Sequence, residues 1–358
     1  MDACSLEREY IIPADTPRPT YARQCKALAA AKKEIPELQI PQSHVLQQTL
    51  KRLETAFVRM WERGFGFPRF KKVGQLRSFV FPQLNKDVVQ GNAVNLPKIG
   101  WVKMHLSRPI PDGFVVKQAT VVKRASGYYV NLSLQCDVSV PDPLPHGYPM
   151  GIDVGLEKFL ATSEGELIPN PRFLRQAQSK LRLLQRMFKH KQQGSNRWKQ
   201  LQHQIAKQHE KVTRCRKDFF FKLAHRLCDQ AGMIFAEDLN LIALGRAALR
   251  KHTLDAAWGT FLNLLSFVCW QRGVYFAKVD SRGTSQICPH CGTNCGQKDL
   301  SVRVHHCPSC GYIKDRDVAA AEVVKLRGIQ STAGLAGTML VEGKEIGVDA
   351  SALARLSR

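Results

Sequence analysis

Apolar and polar positions divide the chain into stretches of different period. Within residues 17–64, Leu46, Leu50, Leu53, Phe57, Val58 and Trp61 recur at three- and four-residue spacings and form one apolar stripe, the mark of an amphipathic helix. From 77 to 140 the period falls to two. Val130, Leu132, Leu134, Cys136 and Val138 alternate with Asn131, Ser133, Gln135 and Asp137, as a half-buried strand requires. The run 115–123 precedes it across Ser126-Gly127, so the two read as a hairpin. Helices followed by a small antiparallel sheet or barrel therefore make up the expected first region, 1–140.

Pro141, Pro143, Pro145 and Pro149 crowd the next nine residues, 141–149. Proline cannot continue a strand ladder and stiffens a connection, which marks these residues as a linker. Beyond it, apolar runs at 150–154, 159–162, 233–236 and 274–279 alternate with helical stretches up to about 229, at 255–272 and at 316–326. That alternation predicts an α/β domain over 150–283 and 314–327, interrupted by a cysteine-rich insert at 284–313. Residues 328–358, rich in Gly, Ala and Ser, read as a tail without a core of its own.

Charge narrows the function. The 358 residues carry 53 Lys+Arg against 30 Asp+Glu, a formal net charge of +23, and a 44% hydrophobic content excludes a wholly disordered chain. The excess is not a basic tail: residues 1–148 hold 21 basic against 12 acidic side chains, and residues 149–358 hold 32 against 18. A folded chain this positive repels itself unless a polyanion compensates, and nucleic acid is the expected partner, with an acidic membrane surface as the rival. The most apolar stretch, 254–270, is interrupted by Asp255, Thr260 and Asn263 and is shorter than the ~20 residues a bilayer needs. No cationic-then-apolar leader opens the chain either, so a cytoplasmic, nucleoid-associated protein without membrane contact is expected.

Two basic stretches are candidate nucleic-acid contacts. From 172 to 217 fourteen Lys or Arg face a single acid, Glu210, whereas a solvated helix surface normally mixes signs. Arg182, Arg186, Lys189, Lys191, Arg197 and Lys199 are the proposed phosphate contacts there, with Leu181, Leu184, Phe188 and Trp198 on the packing side. Further back, Arg63, Arg69, Lys71, Lys72 and Arg77 interleave with Phe65, Phe67, Phe70 and Phe79. Those rings could stack on bases or pack against the adjacent sheet, and the sequence allows both.

Eleven cysteines is an odd number, and four fall in one pattern: Cys288-x2-Cys291, fifteen residues, Cys307-x2-Cys310. Two knuckles of two thiolates, each followed by a glycine (Gly292, Gly311), suit tetrahedral Zn²⁺ and leave no open coordination position, so the metal would be structural. Cys295 and His290 lie near enough in sequence to compete as ligands, but the two complete knuckles leave them as bystanders.

Acids at the ends of apolar strands are the remaining chemistry. Asp153 ends Gly151-Ile-Asp-Val-Gly, Glu237 ends Met233-Ile-Phe-Ala-Glu-Asp, and Asp315 and Asp317 open a helix in Lys314-Asp-Arg-Asp-Val-Ala-Ala. Singly, each has a plain explanation as a turn residue, a helix cap or a partner for a helix dipole. Converged, three such carboxylates would repel one another, and a divalent cation is the natural third party. Two Mg²⁺ ions so held suit phosphodiester hydrolysis.

The order of these acids in a basic chain resembles the RuvC-type branch of the RNase H-like nuclease fold. Taken with Thr284-Ser-Gln-Ile-Cys-Pro-His-Cys-Gly, Cys307-Pro-Ser-Cys-Gly, Gly66-Phe-Pro-Arg-Phe-Lys and Leu96-Pro-Lys-Ile-Gly-Trp, the chain resembles the TnpB family across roughly residues 45–326. These are transposon-encoded, RNA-guided DNA endonucleases related to type V CRISPR effectors. The resemblance implies a RuvC-like domain with a zinc-ribbon insert, preceded by a wedge and recognition region. It implies guide RNA and target DNA as partners and structural Zn²⁺ and catalytic Mg²⁺ as cofactors, with Asp153, Glu237 and Asp317 as the metal-binding acids. Asp317 is preferred to Asp315 because the family pattern is Asp-x-Asn-Ala-Ala, with Ala319 standing here in place of the asparagine. The basic first strand usual in the family is not evident in residues 1–44. A guide-directed binding protein that does not cut, and a guide-independent transposase or junction nuclease, are the alternatives on the same fold.

Overall fold

The computed structural model describes residues 20–332 apart from 70, 72–73, 86, 138–139, 240–255 and 300. It divides into two compact units, 1–139 and 140–358.

In the first unit, Thr20 caps helix α1 (Tyr21–Glu34) by accepting a hydrogen bond from the Arg23 amide. Pro36, which has no amide proton to extend a helix, opens a 3₁₀ turn (Pro36–Gln39), and α2 (Ser43–Arg63) then runs to Gly64 in the left-handed region at φ 63°. Six strands follow: β1 (Ser78–Phe81), β2 (Val89–Gln90), β3 (Ala93–Leu96), β4 (Gly100–Lys103), β5 (Val115–Arg124) and β6 (Gly127–Gln135). They form two antiparallel sheets, β1-β5-β6 and β2-β3-β4. Phe81, Val94, Leu96, Ala119 and Val121 make their buried core. The predicted hairpin is β5–β6, but β6 ends at Gln135 with Leu134 exposed, so the alternation expected through Cys136 does not continue as strand; Val138 lies outside the described residues. Sheet β2-β3-β4 was not foreseen, because strands of two to four residues are too short to display a period.

The second unit is built on a five-stranded sheet in the order β11-β10-β7-β8-β9. Its strands are β7 (Pro149–Asp153), β8 (Lys158–Thr162), β9 (Leu167–Pro169), β10 (Met233–Glu237) and β11 (Tyr275–Val279). β7, β10 and β11 pair in parallel, and β8 and β9 continue antiparallel. All five residues of β10 and the first four of β7 are buried, the continuous apolar run of a strand covered on both faces. Pro149 opens β7, a position where its missing amide costs nothing, so the proline-rich linker stops one residue earlier than its composition suggests.

Between β9 and β10 run helices α3 (Phe173–Lys189) and α4 (Asn196–Gln230); α5 (Trp258–Arg272) precedes β11. Ser195 caps α4 by accepting from the Trp198 amide at 3.2 Å. Phe159, Phe220 and Phe261, from β8, α4 and α5, have ring centroids 5.2–5.4 Å apart and centre the main core. A small antiparallel pair, β12 (Val304–His306) and β13 (Ile313–Asp315), leads into α6 (Arg316–Thr332).

Helix α6 corrects the expected domain end at 327. It continues to Thr332, and Gly328 is inside it, not the start of a tail. A Cβ on Gly328 would lie 2.1 Å from the Phe235 ring, so this glycine admits a core aromatic against the helix. Glycine read from sequence alone suggests a helix stop; here it serves packing. The rest of the expected tail, 333–358, lies outside the described residues.

Candidate acid cluster and cysteine site

Strand register brings two of the acids together. In the parallel pair, Phe235 faces Gly151 and Ala236 faces Ile152, so the next step sets Glu237 beside Asp153 at the ends of adjacent strands. Side chains two apart share a face of a sheet, so Gly151, Asp153, Phe235 and Glu237 all point to one side. Helix α6 covers that side. A Cβ on Gly151 would fall 2.0 Å from the Ala321 carbonyl oxygen and 2.5 Å from the Lys325 amide, so helix and strand backbones are in direct contact. One turn back along α6 from Ala321, about 6 Å, is Asp317; two residues on from Gly151, also about 6–7 Å, is Asp153. Asp317 is therefore on the part of α6 that runs toward the Asp153 end of β7.

The electrostatics agree with that placement. Burial pushes the Asp153 carboxyl well above the usual carboxylate range, and the negative charges of Glu237 and Asp317 push it further. Burial also raises Glu237, opposed by a hydrogen bond from Thr284 and the charge of Arg327. Asp317 is raised by burial and by Asp315, opposed by Arg303 and Arg316. Burial thus raises all three carboxyls, and their oxygens are hard donors of the kind Mg²⁺ takes.

Geometry also separates Asp315 from Asp317. The Asp315 carboxylate accepts from the amides of Asp317 (2.9 Å) and Val318 (3.3 Å), capping α6. It is engaged with its own helix, whereas Asp317, half-buried, contributes charge to Asp153. A sequence pattern alone offers both acids. The cap shows which of them is already in use.

The four cysteines converge as their spacing predicts. All four Sγ atoms lie within 4.8 Å of one another, with Cys288–Cys310 at 3.7 Å and Cys291–Cys307 at 3.6 Å. A tetrahedron with Zn–S arms of about 2.3 Å has edges near 3.8 Å, so the donor set fits zinc. The two knuckles repeat each other: the Gly292 amide donates to the Cys288 carbonyl (2.9 Å) and the Gly311 amide to the Cys307 carbonyl (3.0 Å), with φ of 72° and 73° at the glycines. Desolvation opposes ionisation of Cys307, yet the amides of Cys310 and Ser309 hold its thiol down to about 6. Cys295 and His290 stay outside the set. The Cys295 thiol faces His305 Nε2 at 3.9 Å, and His290 stacks on Tyr312.

Among the proposed phosphate contacts, Arg182, Arg186, Lys189, Arg197 and Lys199 are exposed on α3 and α4, and Lys191 is half-buried in the connection between the helices. Leu181 and Leu184 are buried, and the Phe188 and Trp198 rings meet at 5.1 Å, so the apolar side of the pair packs. Arg69 and Lys71 are exposed in the first unit; Lys72 lies outside the described residues. Of the interleaved rings, Phe79 packs on the β core, while Phe65 and Phe67 are exposed at 61% and 71%. Phe70 lies outside the described residues. Among the described residues, no helix is long and apolar enough to cross a membrane.

The residue that sequence reasoning passed over is Thr284. It opens the conspicuous Thr-Ser-Gln-Ile-Cys stretch, but its hydroxyl turns away from the cysteines and donates to Glu237 Oε1 at 2.5 Å. No local periodicity announces a contact 47 residues away in the chain.

Residues 133–247 match the family model described as "Probable transposase", and residues 258–324 match "Cas12f1-like, TNB domain". A Streptomyces pristinaespiralis protein, assigned by name as an RNA-guided DNA endonuclease, is 30% identical over 328 residues, covering 88% of this chain and 79% of the relative. Escherichia coli K12 InsQ, assigned by name to the same activity, is 29% identical over 302 residues, covering 80% and 74%. A solved Cas12f1–sgRNA–target DNA complex overlaps 79% of this chain and 78% of that one at a TM-score of 0.39 and 17% identity, too loose a likeness to argue from. On the identity and coverage of these relatives, the chain belongs to the TnpB family of RNA-guided DNA endonucleases.

Proposed function

We propose that this protein is an RNA-guided, Mg²⁺-dependent DNA endonuclease of a mobile element, hydrolysing target-strand phosphodiesters in a RuvC-type, RNase H-like domain. The observation that carries the proposal is the buried Asp153 carboxyl, raised first by burial and then by the charges of Glu237 and Asp317. Bound Mg²⁺ would supply Lewis acidity and an activated water at the scissile phosphate. The chain's own part is positional. Asp153 and Glu237, fixed by strand register, and Asp317, fixed by the packing of α6 on β7, would hold the cations. Arg182, Arg186, Lys189, Lys191, Arg197 and Lys199 would bind phosphates of guide or target and so resist salt only weakly. The cysteine cluster would hold structural zinc, with base pairing to the guide RNA reading the sequence. The test uses protein purified with its co-expressed RNA and supplied with matched DNA. Mg²⁺-dependent cutting that Asp153→Ala abolishes is expected; cutting that survives the substitution, or wild type that never cuts with Mg²⁺ or Mn²⁺, overturns the proposal.

A further inference from the structure

Thr284 and Glu237 are both more than nine-tenths buried, at 5% and 8% exposure. The Thr284 hydroxyl has one proton and two acceptors in view, Glu237 Oε1 at 2.5 Å and the Ser281 carbonyl at 3.4 Å, and distance gives the proton to Glu237. A glutamate carboxylate otherwise turns freely about its last torsion, which has no sharp preference. One short, charge-assisted bond to Oε1 removes that freedom and leaves Oε2 and the second lone pair of Oε1 available.

The donor is itself held in place. Thr284 lies just beyond β11, and there the Arg327 guanidinium donates to the carbonyls of Asp280 (2.6 Å) and Arg282 (2.8 Å). Arg327 belongs to α6, the helix that carries Asp317. The Asp238 amide donates to the Val279 carbonyl at 2.8 Å, and the Ser281 hydroxyl to the Asp238 carbonyl at 3.3 Å, tying the segment to the end of β10 as well. The residues leading into the cysteine knuckles are therefore anchored to two of the acid-bearing elements.

We infer that Thr284 is a positioning residue: its hydroxyl fixes the carboxylate of Glu237 in the orientation that binds the divalent cation. The inference rests on the cation-binding reading of the acid cluster and deepens it. A packing role and a positioning role make opposite demands on the side chain. Thr284→Val keeps the shape and loses the oxygen; Thr284→Ser keeps the oxygen and loses a methyl.

The experiment measures Mn²⁺ binding to zinc-loaded, full-length protein by electron paramagnetic resonance, with melting temperature recorded for each variant. Thr284→Val is expected to weaken Mn²⁺ binding about 10–100-fold, the usual cost of losing a partner that orients a ligand, while Thr284→Ser stays within about threefold of wild type. Thr284→Ala should fall with Val, and the Ala–Ser comparison decides the matter if Val does not fold. Wild-type affinity in both hydroxyl-free variants, or equal loss in Ser and Val, overturns the positioning role. Asp153→Ala separates the two claims. If it abolishes Mn²⁺ binding while Thr284→Val and Thr284→Ala leave binding intact, only the positioning inference fails. If Asp153→Ala leaves Mn²⁺ binding unchanged, the cluster is not a cation site and both fail.

Discussion

Replacing Gly151 with alanine tests how the third acid reaches the other two. The added Cβ would stand 2.0 Å from the Ala321 carbonyl oxygen and 2.5 Å from the Lys325 amide nitrogen, where real Cβ atoms essentially never come closer than 3.0 Å. Both neighbours are helix backbone, which cannot rotate aside as a side chain does, so α6 must withdraw from β7 by about 1 Å or more, in an interior packed as densely as a crystal. Overpacking typically costs about 1–3 kcal/mol, and a backbone clash belongs at the upper end. At about 2–4 °C per kcal/mol for a domain of this size, the melting temperature should fall by roughly 5–10 °C. Because Asp317 rides on α6, the same withdrawal should loosen the acid cluster, and a displacement of about 1 Å can cost about a hundredfold in rate. Differential scanning fluorimetry and Mg²⁺-dependent cleavage are the assays. Gly66→Ala, at a glycine with open space around it and an ordinary φ, is the control for the melting measurement. A Gly151→Ala protein that melts within a degree of wild type and cleaves normally would refute the close-packing argument.

Two further outcomes follow from the site's charge and thiols. Burial and two neighbouring acids raise Asp153, so the folded state holds its proton more tightly than the unfolded chain does. In Mg²⁺-free buffer this group therefore subtracts stability as pH rises from the unfolded carboxyl value near ~3.9 through the elevated folded value, at about 1.4 kcal/mol for each tenfold change in acidity. Asp153→Asn should raise the melting temperature of Mg²⁺-free protein by several degrees at pH 7 and flatten the gain that wild type shows on acidification; equal or lower melting temperatures for the variant refute this. Removing zinc with a thiol-compatible chelator should abolish amide-exchange protection at Cys288, Gly292, Cys307 and Gly311 while β7 and β10 stay protected, because the knuckles' other bonds are few. Unchanged exchange after stoichiometric metal loss would count against a zinc-dependent fold.

Much of this architecture is written locally. The alternation of β5, the continuous apolar runs of β7 and β10 and the cysteine spacing are each set by side chains a few residues apart, so periodicity and pattern find them. A carboxylate ending an apolar strand is conspicuous for the same reason, which is how Asp153 and Glu237 stand out. Less visible were features made by pairs far apart in the chain. The strand register, the Gly151–Ala321 approach and the Gly328–Phe235 contact join residues 84–170 positions apart. A glycine's reason for being glycine is then a neighbour that no local window contains.

The same distinction explains why the acid pair at the start of α6 was ambiguous. Asp315 and Asp317 are equivalent as composition, both suited to a helix N-terminus with its positive dipole end. Folding breaks the equivalence because a capping carboxylate must lie just outside the helix and turn back onto its amides, as Asp315 does, whereas Asp317, the second residue of the helix, is left free to project from its first turn. The helix itself packs on β7, the strand carrying Asp153. Capping and cation binding are thus complementary demands on neighbouring residues. Asp315 fixes where the helix begins, and that leaves Asp317 as the acid whose charge reaches Asp153.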